Sequence, residues 1–256
     1  MLKTIIQACY QTTVLYNRKW WRHYKFQREF KNKFELLGDK RFKVAWKDRW
    51  PCLGDATGTT GFDAHYVYHT AWAARILAKQ CPNQHIDIGS CLRFVTLISA
   101  FVPMEFYDYR PAKIALSGLG SKKADILALP FGDQSVASLS CMHVVEHIGL
   151  ERYGDPFDPQ GDVKAMRELT RVLAPGGSLF FVVPVGHEAR IQYNAHRIYT
   201  YRQICDYFPA LRLESFAFVT DSGEFISDAC ELSCVGQKYG CGCFHFMRPS
   251  TNKTVS

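Results

Sequence analysis

From about residue 85 the chain alternates between short apolar runs and stretches with helical spacing. HIDIG (85–89) is an apolar run closed by glycine, and LRFVTLISAF (92–101) predicts the helix that follows. MEFYDY (104–109) predicts a second strand, ended by Pro111, and ADILAL (124–129) a third, after the turn signals of SGLGS. VASLSCMHV (136–144) is almost wholly apolar, as befits a strand covered on both faces. DVKAMRELTRVL (162–173) places Val163, Met166, Leu169, Val172 and Leu173 on one helical face and stops at Pro175-Gly176-Gly177. SLFFVVPV (178–185), LRLESFAFV (211–219) and GCGCFHFM (240–247) predict three further strands, and YTYRQICDYF (199–208) a helix. HYVYHTAWAARILAKQ predicts a helix leading into the first strand, after the loop GDATGTTG. This alternation predicts an α/β fold with a mostly parallel seven-stranded sheet and helices on both faces.

Residues 1–50 differ in character. They hold 13 Lys or Arg against four acidic residues, a net +9 in a chain of +7, so residues 51–256 carry −2. Tyr16, Trp20, Tyr24, Phe26, Phe30, Phe34 and Leu37 recur among these basic residues at roughly helical spacing. Two parts are expected: a basic, aromatic-rich helical extension (1–50) and the α/β domain (51–256). The extension's stripe can pack as core, or it can meet anionic lipid or a protein partner. No apolar run of about 18 residues is present to span a membrane. Positions 1–16 lack the cleavage site of a secretory signal. Ten scattered cysteines suit a reducing compartment. A cytoplasmic protein is expected, with peripheral membrane contact through the extension.

In an open parallel sheet, ligands bind at the carboxyl ends of the strands, where strand order reverses. Asp87, Gly89 and Ser90 follow the first strand, Asp108 ends the second, Asp125 belongs to the third, and His143, Glu146 and His147 follow the fourth. Gly89 permits close backbone approach. Asp108 suits ribose hydroxyls, and Asp125 an adenine amino group. One such aspartate is ordinary turn chemistry; three at successive strand ends point to a nucleoside.

The motifs IDIGS, ADILALPFGDQSVASLSCMHVVEH and ELTRVLAPGGSLFFVVP resemble those of class I S-adenosylmethionine-dependent methyltransferases. HVVEHIGLERYGDP, NAHRIY and YGCGCFHF are similar to a bacterial methyltransferase-like group, domain of unknown function 268. The resemblance implies a Rossmann-like methyltransferase fold with S-adenosylmethionine as cofactor. It places Asp87, Gly89, Ser90, Asp108, Asp125 and His143 around that cofactor. One departure is that Cys91 and Arg93 stand where the family has its later glycines.

Methyl transfer from a sulfonium requires alignment, exclusion of water and, for a hydroxyl or amine acceptor, a base. His147 is the first candidate for that base and Glu146 the second. Arg152 and Asp155 in the next loop, Asn194, His196 and Arg197 after the fifth strand, and Tyr66 and His69 on the helix before the first strand are candidates for binding the acceptor. A small or carbohydrate-type acceptor is expected. Two alternatives stay open: a binding or scaffold module without catalysis, which the altered glycine turn favours, and a nucleic-acid methyltransferase steered by the basic extension. The domain's slight acidity speaks against nucleic acid. Cys230, Cys234, Cys241, Cys243 and His245 lack the Cys-x-x-Cys knuckle of common zinc sites, and Asp155, Asp158 and Asp162 read as turn residues, so no metal is expected.

Overall fold

The computed structural model describes residues 20–35 and 41–250. They belong to two compact units, divided between Gly61 and Phe62.

In the first unit residues 20–29 are α-helical (α1) and continue into a π-helical turn, Phe30–Glu35. Phe26 and Phe30 set their rings 5.7 and 5.1 Å from Trp46, which begins a short 3-10 turn, Trp46–Asp48. Trp20, Trp21 and Tyr24 stay exposed; Trp20 stacks on Tyr24, and Trp21 meets both rings edge-on. Two stripe residues, Tyr16 and Leu37, and the side chain of Phe34 lie outside the described residues.

The second unit begins with α2 (Ala64–Gln80), capped by Asp63, whose carboxylate accepts from the Tyr66 N–H. β1 (His85–Ile88), α3 (Leu92–Ile98), β2 (Met104–Asp108), β3 (Leu119–Lys123) and β4 (Val136–Met142) follow. α4 (Gly161–Val172) and β5 (Leu173–Val185) come next, then the hairpin β6 (Arg190–Gln192) and β7 (His196–Ile198). The remainder is α5 (Tyr201–Tyr207), β8 (Arg212–Val219), β9 (Phe225–Ile226) and β10 (Gly240–Met247). The main sheet has the order β3-β2-β1-β4-β5-β10-β8-β9. β1 to β5 pair in parallel, whereas β10 runs antiparallel to both β5 and β8. The direction of winding reverses between β1 and β4, so the ligand crevice belongs there.

Period-two alternation in the strands builds two cores. Phe180 and Val182 pack with Trp72 and Leu77 of α2 and Phe94 and Ile98 of α3. Phe181 and Val183 pack with Met166 and Leu169 of α4 and Ile204 of α5 on the other face. Among the described residues no helix is long and apolar enough to cross a membrane.

One strand is displaced from its expected position. β3 is LGSKK (119–123), paired with β2 from Leu119↔Met104 to Lys123↔Asp108, while 124–129 is a turn closed by the Ala128 N–H to the Asp125 carbonyl. An edge strand has one unpaired side and tolerates lysines; Lys122 forms an ion pair with Glu105 at 2.7 Å. The apolar signal of 124–129 comes instead from Ile126 and Leu129, which are buried beneath the sheet edge from a turn.

Gly149 fixes the loop after β4. Its φ is +78°, and a Cβ there would lie 2.1 Å from the Asp158 carbonyl oxygen. The Gly149→Ala change should cost about 3 kcal/mol, from left-handed strain and overpacking together. A denaturant midpoint unchanged from the parent would contradict this.

Candidate active site

The turn after β1 is built from below. Asp87 is fully buried, accepts from the Ser90 N–H at 3.0 Å and takes a short hydrogen bond from Ser140 Oγ. Burial pushes its pKa up to about 6 against these hydrogen bonds, which favour the charged form. Ser90 Oγ accepts from the Met142 N–H at 3.1 Å, tying the turn to β4. Asp87 and Ser90 therefore shape the turn rather than line its surface. Gly89 has φ +68°; a Cβ there would sit 3.2 Å from a Val144 methyl and 3.7 Å from Asp108 Oδ2. The ends of β1, β2 and β4 converge at this glycine. Asp108 uses Oδ1 to accept from the Arg110 N–H, and Asp125 uses Oδ1 to accept from the Leu127 N–H. Asp125 is exposed and lies two residues past β3. Cys91 is half-buried at the start of α3, and Arg93 is exposed on that helix.

Beside this turn lies a cleft of about 400 Å³. Its walls come from the start of α2 (Asp63, His65, Tyr66), the end of β4 (His143, Glu146, His147), the following loop (Arg152, Tyr153), the β6–β7 hairpin (Ala195, His196) and Tyr239 before β10. His143 leaves β4 with φ +58°, an uncommon conformation for a residue with a side chain. Its Nδ1 donates to Glu146 Oε1 at 2.9 Å, and the Cys241 thiol lies 3.4 Å from its Nε2. Burial opposes a charge on His143, yet its Cys241 and Glu146 neighbours outweigh it and raise the pKa. Burial also pushes the Cys241 thiol well up. Glu146 is 1% exposed, and its Oε2 has no protein partner.

His147 Nδ1 donates to the Ala195 carbonyl at 2.7 Å, which leaves Nε2 as its basic nitrogen. Arg152 donates to the same carbonyl at 2.9 Å and stacks over Tyr153. Burial lowers the His147 pKa, and Arg152 and His143 add to that, against Glu146. His147 is thus a neutral, oriented imidazole in the cleft wall. Tyr66 stacks on His143 at 5.3 Å, and His196 on Tyr239 at 5.1 Å.

The other sequence candidates are placed elsewhere. Both oxygens of Asp155 accept backbone N–H groups, from Gly149 and Tyr153. Asn194 is an exposed turn residue at φ +56°. Arg197 is buried away from the cleft, donating to the Ile148 carbonyl and facing Asp162 at 3.5 Å. His69 is fully buried behind the cleft, with Nδ1 bonded to the His65 carbonyl. Asp158 forms an ion pair with Lys164 at 2.6 Å. Of the C-terminal cysteine and histidine group, His245 bonds Ser178 and lies near Gln80, while Cys241 faces His143. His65, Asp63 and Tyr239 line the cleft without a strand-end position in the sequence. A His-x-x-x-His pair at 65 and 69 marks one helical face and was the available signal for His65; nothing local marks Tyr239.

The N-methyltransferase NodS of Bradyrhizobium japonicum, solved with S-adenosyl-L-homocysteine, superposes with TM-score 0.51 at 17% identity, over 73% of this chain and 88% of its own. The chain has a class I methyltransferase fold. The 1,6-didemethyltoxoflavin N1-methyltransferase of Burkholderia thailandensis, solved with 1,6-didemethyltoxoflavin and S-adenosylhomocysteine, gives TM-score 0.52 at 10% identity over 72% of this chain and 79% of its own. The (4+2)-cyclase SpnF gives 0.50 at 14% identity over 70% and 82%. The family described as "Caenorhabditis protein of unknown function, DUF268" matches residues 130–224, from the loop before β4 to the loop after β8. That description names Caenorhabditis, where the sequence reading expects a bacterial group. No curated protein sequence matches the chain.

Proposed function

We propose that this chain transfers a methyl group from S-adenosylmethionine to a small polar acceptor, of carbohydrate type, seated in the histidine-lined cleft. The convergence at Gly89 carries this reading. It brings the end of β1 beside Asp108 and against Val144, one residue from His143 and two from Glu146. Asp108 and Asp125 each keep Oδ2 free of protein donors among the described residues, which fits a ligand offering ribose hydroxyls and an adenine amino group. When bound, the sulfonium supplies a methyl group already activated by positive charge. The chain's own tasks are then to align the acceptor, exclude water and take a proton. Tyr66, His196 and Tyr239 supply flat, polar-tipped walls for a hydroxylated acceptor. His147 Nε2 is the proton acceptor, and Ala195 fixes its tautomer. Glu146 holds His143 and shapes the floor.

Calorimetry with S-adenosylmethionine tests the reading. Asp108→Ala should weaken binding about 10- to 100-fold, as loss of hydrogen bonds to a charged group does, and Asp125→Ala should weaken it less, because Asp125 is exposed. Absence of binding at millimolar ligand would instead favour a binding module of the same fold. The departure at Cys91 and Arg93 is the observation on that side.

A further inference from the structure

The cleft floor gathers a set of metal-ligand atoms. One ligand nitrogen from each of His65 and His143 and the sulfur of Cys241 lie within 4.8 Å of one another. We propose that His65, His143 and Cys241 bind a zinc-class transition-metal ion that keeps one coordination position open toward the cleft. The spacing fits. Zn–N bonds of about 2.0–2.1 Å and a Zn–S bond of about 2.3 Å at a tetrahedral angle put N and S roughly 3.5 Å apart, and His143 Nε2 and Cys241 Sγ are 3.4 Å apart. The Nδ1 of His143 donates to the Glu146 carboxylate at 2.9 Å, so Nε2 presents its lone pair to the ion, as carboxylate-backed metal histidines do. His65 and His143 line the cleft and Cys241 lies beneath it, which leaves the cleft side of the ion open.

A second observation is independent of that triangle. His69 is fully buried; its Nε2 has no partner, and its ring centre lies 5.0 Å from that of His143. Glu146 Oε2 is also buried without a partner. Unpaired buried polar atoms cost stability, and two of them lie on residues in direct contact with His143, one by ring contact and one by hydrogen bond, which favours a charged or polar occupant there. Two imidazoles and one thiolate suit zinc, and cobalt as its spectroscopic stand-in. The Cys241 thiol and the His143 imidazolium must each lose a proton on binding, so affinity rises with pH. Ion binding stands on these ligands alone. A role for the ion in holding the acceptor heteroatom rests on the methyl-transfer reading above.

The test uses the full chain, stripped with chelator and titrated with Co(II), then with Zn(II) in competition. One cobalt per chain is expected, with a thiolate charge-transfer band and visible d–d bands of tetrahedral type, all displaced by zinc. Cys241→Ser should abolish the charge-transfer band, and Cys243→Ser, 3.9 Å away, should leave it. His65→Ala, a half-buried position on the first turn of α2, should weaken binding more than tenfold without unfolding the protein, and Glu146→Gln should weaken it 10- to 100-fold. Absence of a thiolate band, or a band lost with Cys243→Ser and kept with Cys241→Ser, overturns the assignment. Rapid, metal-independent alkylation of Cys241 by iodoacetamide would also overturn it, by assigning a Cys–His–Glu nucleophile instead. Calorimetry of the stripped protein with S-adenosylmethionine separates the two proposals: cofactor binding without a cobalt band removes only the ion, and a cobalt band without cofactor binding removes only methyl transfer.

Discussion

Replacing His147 by Asn lowers kcat by about 10²- to 10⁴-fold on any acceptor whose methylated atom must lose a proton, the range typical of a lost general base. Asn keeps a donor near the place of Nδ1, so the Ala195 hydrogen bond and the hairpin it anchors survive. What disappears is the basic Nε2. KM should therefore stay within a few-fold of the parent, because binding contacts are unchanged. The pH profile gives a further check. Burial and the neighbouring Arg152 lower the His147 pKa below its ordinary 6.5, so the basic form dominates above the lowered value. The acid limb of kcat/KM should lie below pH 6.5 in the parent and be absent in the variant. A parent-like kcat in both His147→Asn and His147→Ala would remove this residue as the base.

Acid destabilises the fold below pH 6.5 through two buried histidines. His69 and His85 are fully buried, and burial lowers both pKa values to about 3. Below pH 6.5 the unfolded chain takes up a proton at each site that the folded chain refuses until about pH 3. Stability therefore falls with falling pH across that window, by about 1.4 kcal/mol per pH unit for each fully shifted group. Asp87 acts in the opposite direction. Its folded pKa is raised to about 6 from 3.8, so between those values the folded chain holds the extra proton and gains stability as pH falls. It offsets roughly one histidine there. These three groups together lose about 3 kcal/mol between pH 6 and pH 4, a large part of a typical domain's stability, and the lowered pKa values of His65, His147, His196 and His245 add to the loss. His143, whose pKa is raised, is protonated in both states below pH 6.5 and adds no slope in this window. Denaturant midpoints from pH 7 to pH 4 measure the effect. His85→Gln retains hydrogen bonding to Ser138 and Ser140 but cannot titrate, and should make the slope shallower by one histidine's share. Equal midpoints at pH 7 and pH 4 would refute the account.

Much of the sheet was legible because buried parallel strands write themselves as uninterrupted apolar runs. VASLSCM and SLFFVVPV read as strands and are strands. β3 was not legible for the same reason. An edge strand need not be apolar, and the turn after it buries Ile126 and Leu129, so the apolar signal moved one element downstream. Strand-end logic placed Gly89, Asp108, His143, Glu146 and His147 in one neighbourhood, and they lie there, because in a parallel sheet all such ends share one rim. Arg197 and Asp155 follow strands or loops on that same rim by sequence, yet their side chains are committed inward to carbonyls and backbone N–H groups. Sequence position gives the rim; side-chain direction decides who lines it.

The sequence by itself determined the α/β class, the position of the glycine turn after β1 and the contrast in charge between residues 1–50 and 51–256, since periodicity and charge are local properties of the chain. Only the tertiary structure brought Cys241 of the last strand, 98 residues distant, within 3.4 Å of His143 and set His65 beside them. Those neighbours come from three separated elements. Their meeting depends on sheet order and on how α2 packs across the strands, which no local pattern records.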